Sequence, residues 1–130
     1  MDTLNLEIIT PNGLIFDGQV ISVTLPGEEG EFGVLPRHAT LATLLTAGVI
    51  DIEKEDKSIE SIVVNWGLVQ VDETKTVVLV DGAVAIHGGT ENEIAQSLEE
   101  AKTLINGISD SNVAIAAVSA RIESAAQRLL

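Results

Sequence analysis

Hydrophobic and polar residues alternate in short runs along most of the chain before residue 87. The first run places Leu4, Leu6 and Ile8 on one side, a period of two that is typical of a half-buried β-strand. Similar runs, separated by turn residues, lie at residues 14–16, 20–25, 41–45, 48–52, 59–64, 67–71, 76–80 and 83–86. Many short strands without a crossover helix between them predict an antiparallel sandwich or barrel.

Two side-chain placements follow from this pattern. In the run at residues 20–25, Ile21, Val23 and Leu25 fall on one face, so we predict that they are buried together. Trp66 is one of only three aromatic residues in the chain. Because large aromatic side chains are mostly buried, we expect Trp66 to pack in the otherwise aliphatic core.

A helical period replaces the alternation after two glycines at residues 88–89. Thr90 is suited to cap a first helix, and apolar residues recur from there at steps of three and four. A polar turn at residues 109–112 precedes a second helical segment without Gly or Pro. Two helices with a short connection pack as an antiparallel hairpin. We therefore predict a β domain at residues 1–87 and a helical hairpin at residues 88–130.

The stretch at residues 26–41 is dense in residues that direct the backbone, with three glycines and two prolines. Glycine permits positive φ at little steric cost, and proline fixes φ and removes a hydrogen-bond donor. Three glutamates, Glu28, Glu29 and Glu31, would repel one another in a buried site. We therefore predict that the tip of this segment faces water or a partner.

Charge and composition narrow the classes of partner. The net charge of −13, from 20 acidic and 7 basic residues, argues against direct binding to nucleic acid or to an anionic lipid surface. We recognise no secretory leader and no apolar run of membrane-spanning length, so we expect no direct membrane insertion. The absence of cysteine excludes a thiolate nucleophile, a disulfide and a cysteine metal site.

Few residues are available for catalysis. The two histidines, His38 and His87, have neither a nucleophile motif nor metal-ligand spacing around them. We interpret His38 as a strand-edge residue hydrogen-bonded to the backbone, with an interface contact as the alternative, and His87 as the end of the last strand. We predict a protein that is not an enzyme and holds no cofactor or metal. A hydrolase that uses His38 is the alternative from the enzyme class.

One segment carries a specific resemblance to a known family. Residues 30–41 read Gly-Glu-Phe-Gly-Val-Leu-Pro-Arg-His-Ala-Thr-Leu, with Thr40 where proline is usual. This sequence resembles a motif of the epsilon subunit family of F-type ATP synthases, bacterial type, which also supplies the delta subunit of mitochondrial enzymes. Residues 6–13 and Gly67 add weaker support. The resemblance covers the whole chain and implies an N-terminal antiparallel β-sandwich of about ten strands followed by a helical hairpin.

The resemblance also implies partners. In this family the sandwich lies at the foot of the rotating central stalk, binds the gamma subunit and the membrane c-ring, and couples proton-driven rotation to the catalytic head. It implies a non-catalytic rotor subunit, peripheral to the bacterial plasma membrane on its cytoplasmic face. By position in the motif, the c-ring side would comprise Glu28, Glu29, Gly30, Glu31 and Phe32. The gamma side would comprise Pro36, Arg37, His38 and Ala39.

The C-terminal hairpin departs from its relatives. In many bacterial members the hairpin extends into the catalytic head of alpha and beta subunits and inhibits ATP hydrolysis. Here that role would fall to Arg121 and Arg128. Inhibitory members carry a larger basic cluster, so we expect weak inhibition. The motif with which some members bind ATP matches only at residues 92–97, where Gln96 replaces its arginine, so we expect no bound ATP.

A second hypothesis comes from another class of protein. A free-standing β-sandwich binding module that dimerises through its hairpin would share this pattern of elements. It predicts a stable homodimer that is lost on deletion of residues 90–130, whereas a rotor subunit stays largely monomeric when isolated.

Overall fold

A computed structural model of the chain describes residues 2–86, 90–106 and 112–129, and for residues 112–117 the backbone only. The strands in these ranges are β1 (Leu4–Thr10), β2 (Gly13–Gly27), β3 (Gly30–Val34), β4 (Leu41–Leu45), β5 (Gly48–Lys54), β6 (Ile59–Val64), β7 (Gly67–Val71), β8 (Lys75–Val80) and β9 (Ala83–Ile86). The helices are α1 (Glu91–Asn106) and α2 (Asn112–Gln127). The predicted β-sandwich followed by two helices is confirmed, with nine strands in the described residues.

The strands form two layers around one aliphatic core. The first layer contains β1, β8, β7 and β4, and the second contains β5, β6 and β9. Strand β2 is 15 residues long and takes part in both layers. Its first half pairs with β1 and its second half with β5 and β3. Inward-facing side chains of both layers, such as Leu6, Ile50 and Val78, are fully buried between them.

Strand β2 differs from its prediction in two respects. The two runs predicted on either side of Asp17 form a single strand, because Asp17 pairs with Glu7 of β1 and does not enter a turn. A register shift in the pairing with β5 places Val20 in the core and leaves Ile21 half-buried. The prediction of a common buried face is therefore wrong for Ile21 and correct for its other two members.

One pair of strands is parallel. Strands β1 and β8 run in the same direction, with Ile8 opposite Val78, so the prediction of an entirely antiparallel sandwich is wrong for this pair. Parallel neighbours require a long connection, which is often a crossover helix. Here the strands β2 to β7 make that connection, and no helix is needed.

The two helices cover the outer face of the second layer. A second cluster of buried apolar side chains joins strands and helices: Val49, Val63, Ile86, Ile94, Ala101, Ile105, Ile122, Ala125 and Ala126. Residues 49–50 of β5 and 62–64 of β6 are therefore buried, with side chains on both faces of the layer, which explains the unbroken apolar sequence at these positions. Thr90 caps α1 as predicted, since its hydroxyl accepts the N–H of Glu93 at 3.2 Å.

Three predicted features lie outside the described residues. They are His87 as the end of the last strand, the boundary between domains at residues 87–88, and the polar turn as far as residue 111. The last described strand ends at Ile86, and α1 begins at Glu91.

Gly67 begins β7 at a point where this strand passes close to β8. A Cβ atom on Gly67 would overlap the carbonyl oxygen of Leu79 and lie 2.9 Å from Cγ1 of Val80. We predict that Gly67→Ala lowers the free energy of unfolding by about 1–3 kcal/mol, as overpacking generally does. Urea denaturation of the purified chain measures this change.

Gly33→Ala is the matched control for this prediction. Gly33 also lies in a strand, and a Cβ atom there meets nothing within 4 Å. We expect a much smaller change from Gly33→Ala. Equal destabilisation by the two substitutions would show that the close approach at Gly67 does not matter.

Candidate interaction surfaces

The hairpin between β2 and β3 carries the acidic tip. Gly27 pairs with Gly30, so Glu28 and Glu29 alone form the turn, and both are exposed. Gly30 has a φ of +130°, which favours glycine, and the Cβ position of Gly27 is blocked by the ring of Phe32 at 2.8 Å. The glycines thus fix the turn, and the tip faces outward as predicted.

The other side chains predicted on the c-ring side have contacts within the chain. Glu31 Oε2 accepts a hydrogen bond from Nη2 of Arg121 in α2 at 3.2 Å. Phe32 is half-buried and packs against the core between the layers. The most exposed part of this predicted interface is therefore the turn of Glu28 and Glu29.

The loop after β3 contains the residues predicted on the gamma side. Arg37 has a φ of 65°, and its Nη2 lies 2.8 Å from Oδ2 of Asp2. The ring of His38 is hydrogen-bonded through Nδ1 to the carbonyl oxygen of Ala39 at 2.6 Å. The predicted bond to the backbone is confirmed, but His38 lies in a loop and not at a strand edge. This loop and the acidic tip are at opposite ends of β3, so the two predicted interfaces are spatially separate.

Apolar side chains, three exposed and two half-buried, form a row across the outer face of the first layer. They come from β2, β1, β8, β7 and β4, and each is opposite the next in the register of the sheet: Leu14, Ile9, Leu79, Leu68 and Leu44. Leu14 is 54% exposed and Leu44 is 50% exposed. These five side chains, together with Trp66, are called the apolar face below. The apolar face lies on the side of the sandwich opposite to the helices.

Polar residues border the apolar face along the same strands. Two positions before Ile9 in β1, the carboxylate of Glu7 lies 2.8 Å from Nζ of Lys75. Gln70 of β7 faces the same side as Leu68, because it lies two residues further along the strand. An exposed apolar patch with a polar rim is characteristic of a surface that binds another protein.

Trp66 belongs to the apolar face and not to the core. Its side chain is 55% exposed, so the prediction of a core position is wrong. Val64, the last residue of β6, is one of the aliphatic side chains that fill the space between the layers. Trp66 follows in the turn between β6 and β7, where Gly67 approaches the backbone of β8 too closely for any side chain. The indole lies on the outside of the sheet, where it lines a groove with Leu68 and Leu79.

A group of charged and polar residues fixes α2 to the outer face of β5. The carboxylate of Asp51 accepts hydrogen bonds from Nη2 of Arg121 at 3.0 Å and from Nη1 of Arg128 at 3.4 Å. The hydroxyl of Ser61 donates to the same carboxylate at 2.6 Å. We call Asp51, Ser61, Arg121 and Arg128 the ionic anchor. Both arginines predicted to act in regulation are thus bound to the sandwich in this conformation.

The environment of Asp51 keeps it ionised. Burial by itself would raise the pKa of this carboxyl. The hydrogen bonds from Ser61, Arg121 and Arg128 outweigh that effect and hold the pKa of Asp51 below its ordinary value of 3.8. For Arg121, burial would lower the pKa, but the hydrogen bonds to Asp51 and Glu31 outweigh it and raise the pKa above the ordinary value.

Across residues 2–86, 90–106 and 112–129, no three His, Asp or Glu side chains are arranged to hold a metal ion. In the same part of the chain, no helix has the length and apolar character needed to cross a membrane. The described surface instead offers an acidic tip, an apolar face and an ionic anchor. These features define a small interaction module: a β-sandwich with a helix pair docked on one face and with its other face open.

Comparison with known proteins assigns the module to a family. A family model described as the beta-sandwich domain of the ATP synthase Delta/Epsilon chain matches residues 3–86. The chain therefore belongs to the delta/epsilon family of ATP synthase subunits, and the resemblance found in the sequence is confirmed. Within that family it is a non-catalytic subunit, as predicted.

Two relatives match nearly the whole chain. The ATP synthase epsilon chain of Sulfurimonas denitrificans is 65% identical over 130 residues, which is all of both chains. The ATP synthase epsilon chain of a Nitratiruptor species is 61% identical over 127 residues, or 98% of each chain.

Two solved structures contain chains with a similar fold. A chain in the mitochondrial ATP synthase of Euglena gracilis, OSCP/F1/c-ring, aligns with a TM-score of 0.64 at 22% identity, covering 97% of this chain and 80% of that one. A chain in the central stalk/c-ring of Tetrahymena thermophila mitochondrial ATP synthase gives 0.54 at 15% identity, covering 82% and 96%. At such identities the likeness concerns the fold.

The lowered pKa of Asp51 predicts how the stability of the folded chain depends on pH. A carboxyl whose pKa is lower in the folded than in the unfolded state stabilises the protein above its ordinary pKa, here 3.8, and that contribution is lost as pH falls through the folded pKa. We predict that Asp51→Asn lowers the free energy of unfolding by about 1–3 kcal/mol at neutral pH, because the arginines lose a charged acceptor. The difference from the wild type should shrink as the solution is acidified below pH 3.8.

Urea denaturation of both proteins at a series of pH values measures this difference. Glu55→Gln, in the exposed turn between β5 and β6, is the matched control for removal of one negative charge. We expect Glu55→Gln to match the wild type at every pH. A stability difference for Asp51→Asn that is the same at neutral and acid pH would contradict the role of the ionised carboxylate.

Proposed function

We propose that this chain is the rotor subunit that joins the gamma subunit to the c-ring in the central stalk of a proton-translocating ATP synthase. It would be peripheral to the plasma membrane, on the cytoplasmic face. The observation that carries the proposal is the apolar face. Its exposed leucines and Trp66 would be removed from water if another protein covered them. Relatives of the same length named as ATP synthase epsilon chains support it, as do similar folds in central stalk and c-ring assemblies.

The gamma subunit is the partner that we assign to the apolar face. The loop predicted on the gamma side ends immediately before β4, and β4 carries Leu44 of the apolar face. Between the two, Thr40 and Gln70 line the same groove as Val77. The loop and the apolar face therefore form one continuous surface. Full burial of one exposed leucine contributes about 1.5–3 kcal/mol, so covering this surface favours association.

The c-ring is the partner that we assign to the acidic tip. Glu28 and Glu29 are exposed there, and a basic loop of a partner would complement their charge. The backbone N–H of Glu28 donates to the carbonyl of Leu44 at 3.0 Å, so the tip adjoins the end of β4. A subunit that joins two others needs two surfaces on one rigid body. The sandwich, with its two layers around a single core, provides them.

Leu79→Asp tests the assignment of the apolar face. A carboxylate at the centre of an apolar interface must be desolvated, so we predict that the affinity for purified gamma subunit falls by about a hundredfold. Titration calorimetry measures the affinity, and thermal unfolding verifies that the variant is folded. Ile59→Asp is the matched control, because Ile59 is similarly exposed but lies at the start of β6, outside the apolar face.

Unchanged affinity for Leu79→Asp, or an equal loss for Ile59→Asp, would contradict the assignment. Co-purification provides the wider test, since the tagged chain should retain both gamma and c-ring subunits from its own host. A stable homodimer that is lost on deletion of residues 90–130 would instead support the dimerising binding module.

The helix pair is proposed to inhibit ATP hydrolysis only weakly. In the docked conformation Arg121 and Arg128 both donate hydrogen bonds to Asp51 of the ionic anchor. The sequence of α2 contains no larger cluster of basic residues. We predict that truncation before Thr90 leaves ATP hydrolysis by the reconstituted enzyme nearly unchanged. The full-length double substitution Arg121→Gln and Arg128→Gln should give the same result with all residues of the helix pair still present. A severalfold rise in hydrolysis in either variant would show that two arginines suffice for inhibition.

A further inference from the structure

Two turns meet at one corner of the sandwich, beside the apolar face. One joins β6 to β7 and the other joins β8 to β9. The Oδ1 atom of Asn65 accepts hydrogen bonds from the backbone N–H groups of Trp66 at 2.9 Å and of Gly82 at 2.8 Å. Its Nδ2 donates to Oδ2 of Asp81 at 3.2 Å. We call Asn65, Trp66, Asp81 and Gly82 the corner cluster.

Backbone hydrogen bonds close the corner cluster from both sides. The N–H of Asn65 donates to the carbonyl of Gly82 at 3.3 Å, and the N–H of Asp81 donates to the carbonyl of Trp66 at 3.2 Å. Asn65 is 9% exposed, so its amide has little water as an alternative partner. An amide that accepts two bonds and donates a third to a carboxylate is satisfied in one orientation only. The path of the backbone at Trp66 is therefore set by a side chain and not by strand pairing alone.

Helix α1 covers the back of the corner cluster. A Cβ atom on Gly82 would lie 2.9 Å from Cδ1 of Leu104 and 3.1 Å from Nδ2 of Asn65. The corner is thus packed closely against Leu104 of α1.

The front of the corner cluster opens on a groove of the apolar face. This groove has a volume of about 420 Å³ and is lined mainly by Ile9, Thr10, Pro11, Trp66, Leu68 and Leu79. Tryptophan is among the residues that contribute most to binding when they lie at the centre of an interface. The corner cluster fixes the backbone from which the indole projects, and a segment that is ordered before association loses less conformational entropy on binding.

We propose that Asn65 and Asp81 are positioning residues that hold Trp66 as the anchor of the apolar face for an apolar side chain of the gamma subunit. The identity of the partner rests on the proposed function, whereas the positioning itself is a property of the isolated chain. Trp66 is the only tryptophan, so its fluorescence reports directly on the corner cluster.

Asn65→Ala removes the acceptor for two backbone N–H groups. In the full-length chain we expect acrylamide to quench Trp66 fluorescence more strongly and the affinity for gamma to fall about tenfold, the usual effect of a disturbed interface anchor. Asn65→Asp, which keeps the shape of the side chain but places two carboxylates together, should have similar effects.

The exchanged pair Asn65→Asp with Asp81→Asn restores the complementary groups, and we expect it to recover both the quenching and the affinity of the wild type. Asn92→Ala, on the exposed side of α1, is the control and should change neither.

The outcomes separate this inference from the proposed function. If Leu79→Asp abolishes gamma binding while Asn65→Ala changes neither quenching nor affinity, the positioning role is wrong and the proposed function stands. If Leu79→Asp leaves gamma binding intact, the proposed function is wrong, and the quenching data alone decide the positioning role. Failure of the exchanged pair to recover the quenching of the wild type overturns the inference, including the case in which Asn65→Ala does not fold.

Discussion

The rest of this structure depends on one difference between the two layers: the helices cover the outer face of the second layer, whereas apolar residues on the outer face of the first layer are exposed. Both layers contribute apolar side chains to the common core, but Val49 of β5, Val63 of β6 and Ile86 of β9 face outward, are also apolar and have to be removed from water. The helix pair serves that purpose. Within the described residues no helix covers the first layer, and its outward Leu44 and Leu79 stay exposed. The helix pair thus buries the apolar residues on one outer face of the sandwich. The apolar residues on the other outer face are accessible to a second subunit.

Docking of α2 depends on charge as well as on apolar contact. Its described buried side chains are Ile122, Ala125 and Ala126, and alanine removes little area from water. Asp51 lies at an outward position of β5, where it accepts hydrogen bonds from Arg121 of α2 and from Arg128 just after the helix. A single carboxylate therefore links the sandwich to the residues expected to act in regulation. Arg121 also reaches Glu31, so the same helix contacts the strand next to the acidic tip.

The exposed surfaces form a connected set around β4. The acidic tip bonds to its end through Glu28, the loop that contains His38 leads into its start, and Leu44 places it in the apolar face. Such an arrangement suits a small subunit between two larger partners.

The sequence by itself determined the elements and the family. Period-two alternation located most strands, Thr90 marked the start of α1, and residues 30–41 carried the resemblance that the comparisons confirmed. These features are local, so spacing and turn chemistry reveal them. The tertiary structure alone decided the continuous strand β2, the parallel pairing of β1 with β8, and the exposure of Trp66. It also brought Asp51 to Arg121 and Asn65 to Gly82, partners 70 and 17 residues apart. Which face a side chain occupies depends on what covers that face, and no local pattern contains this information.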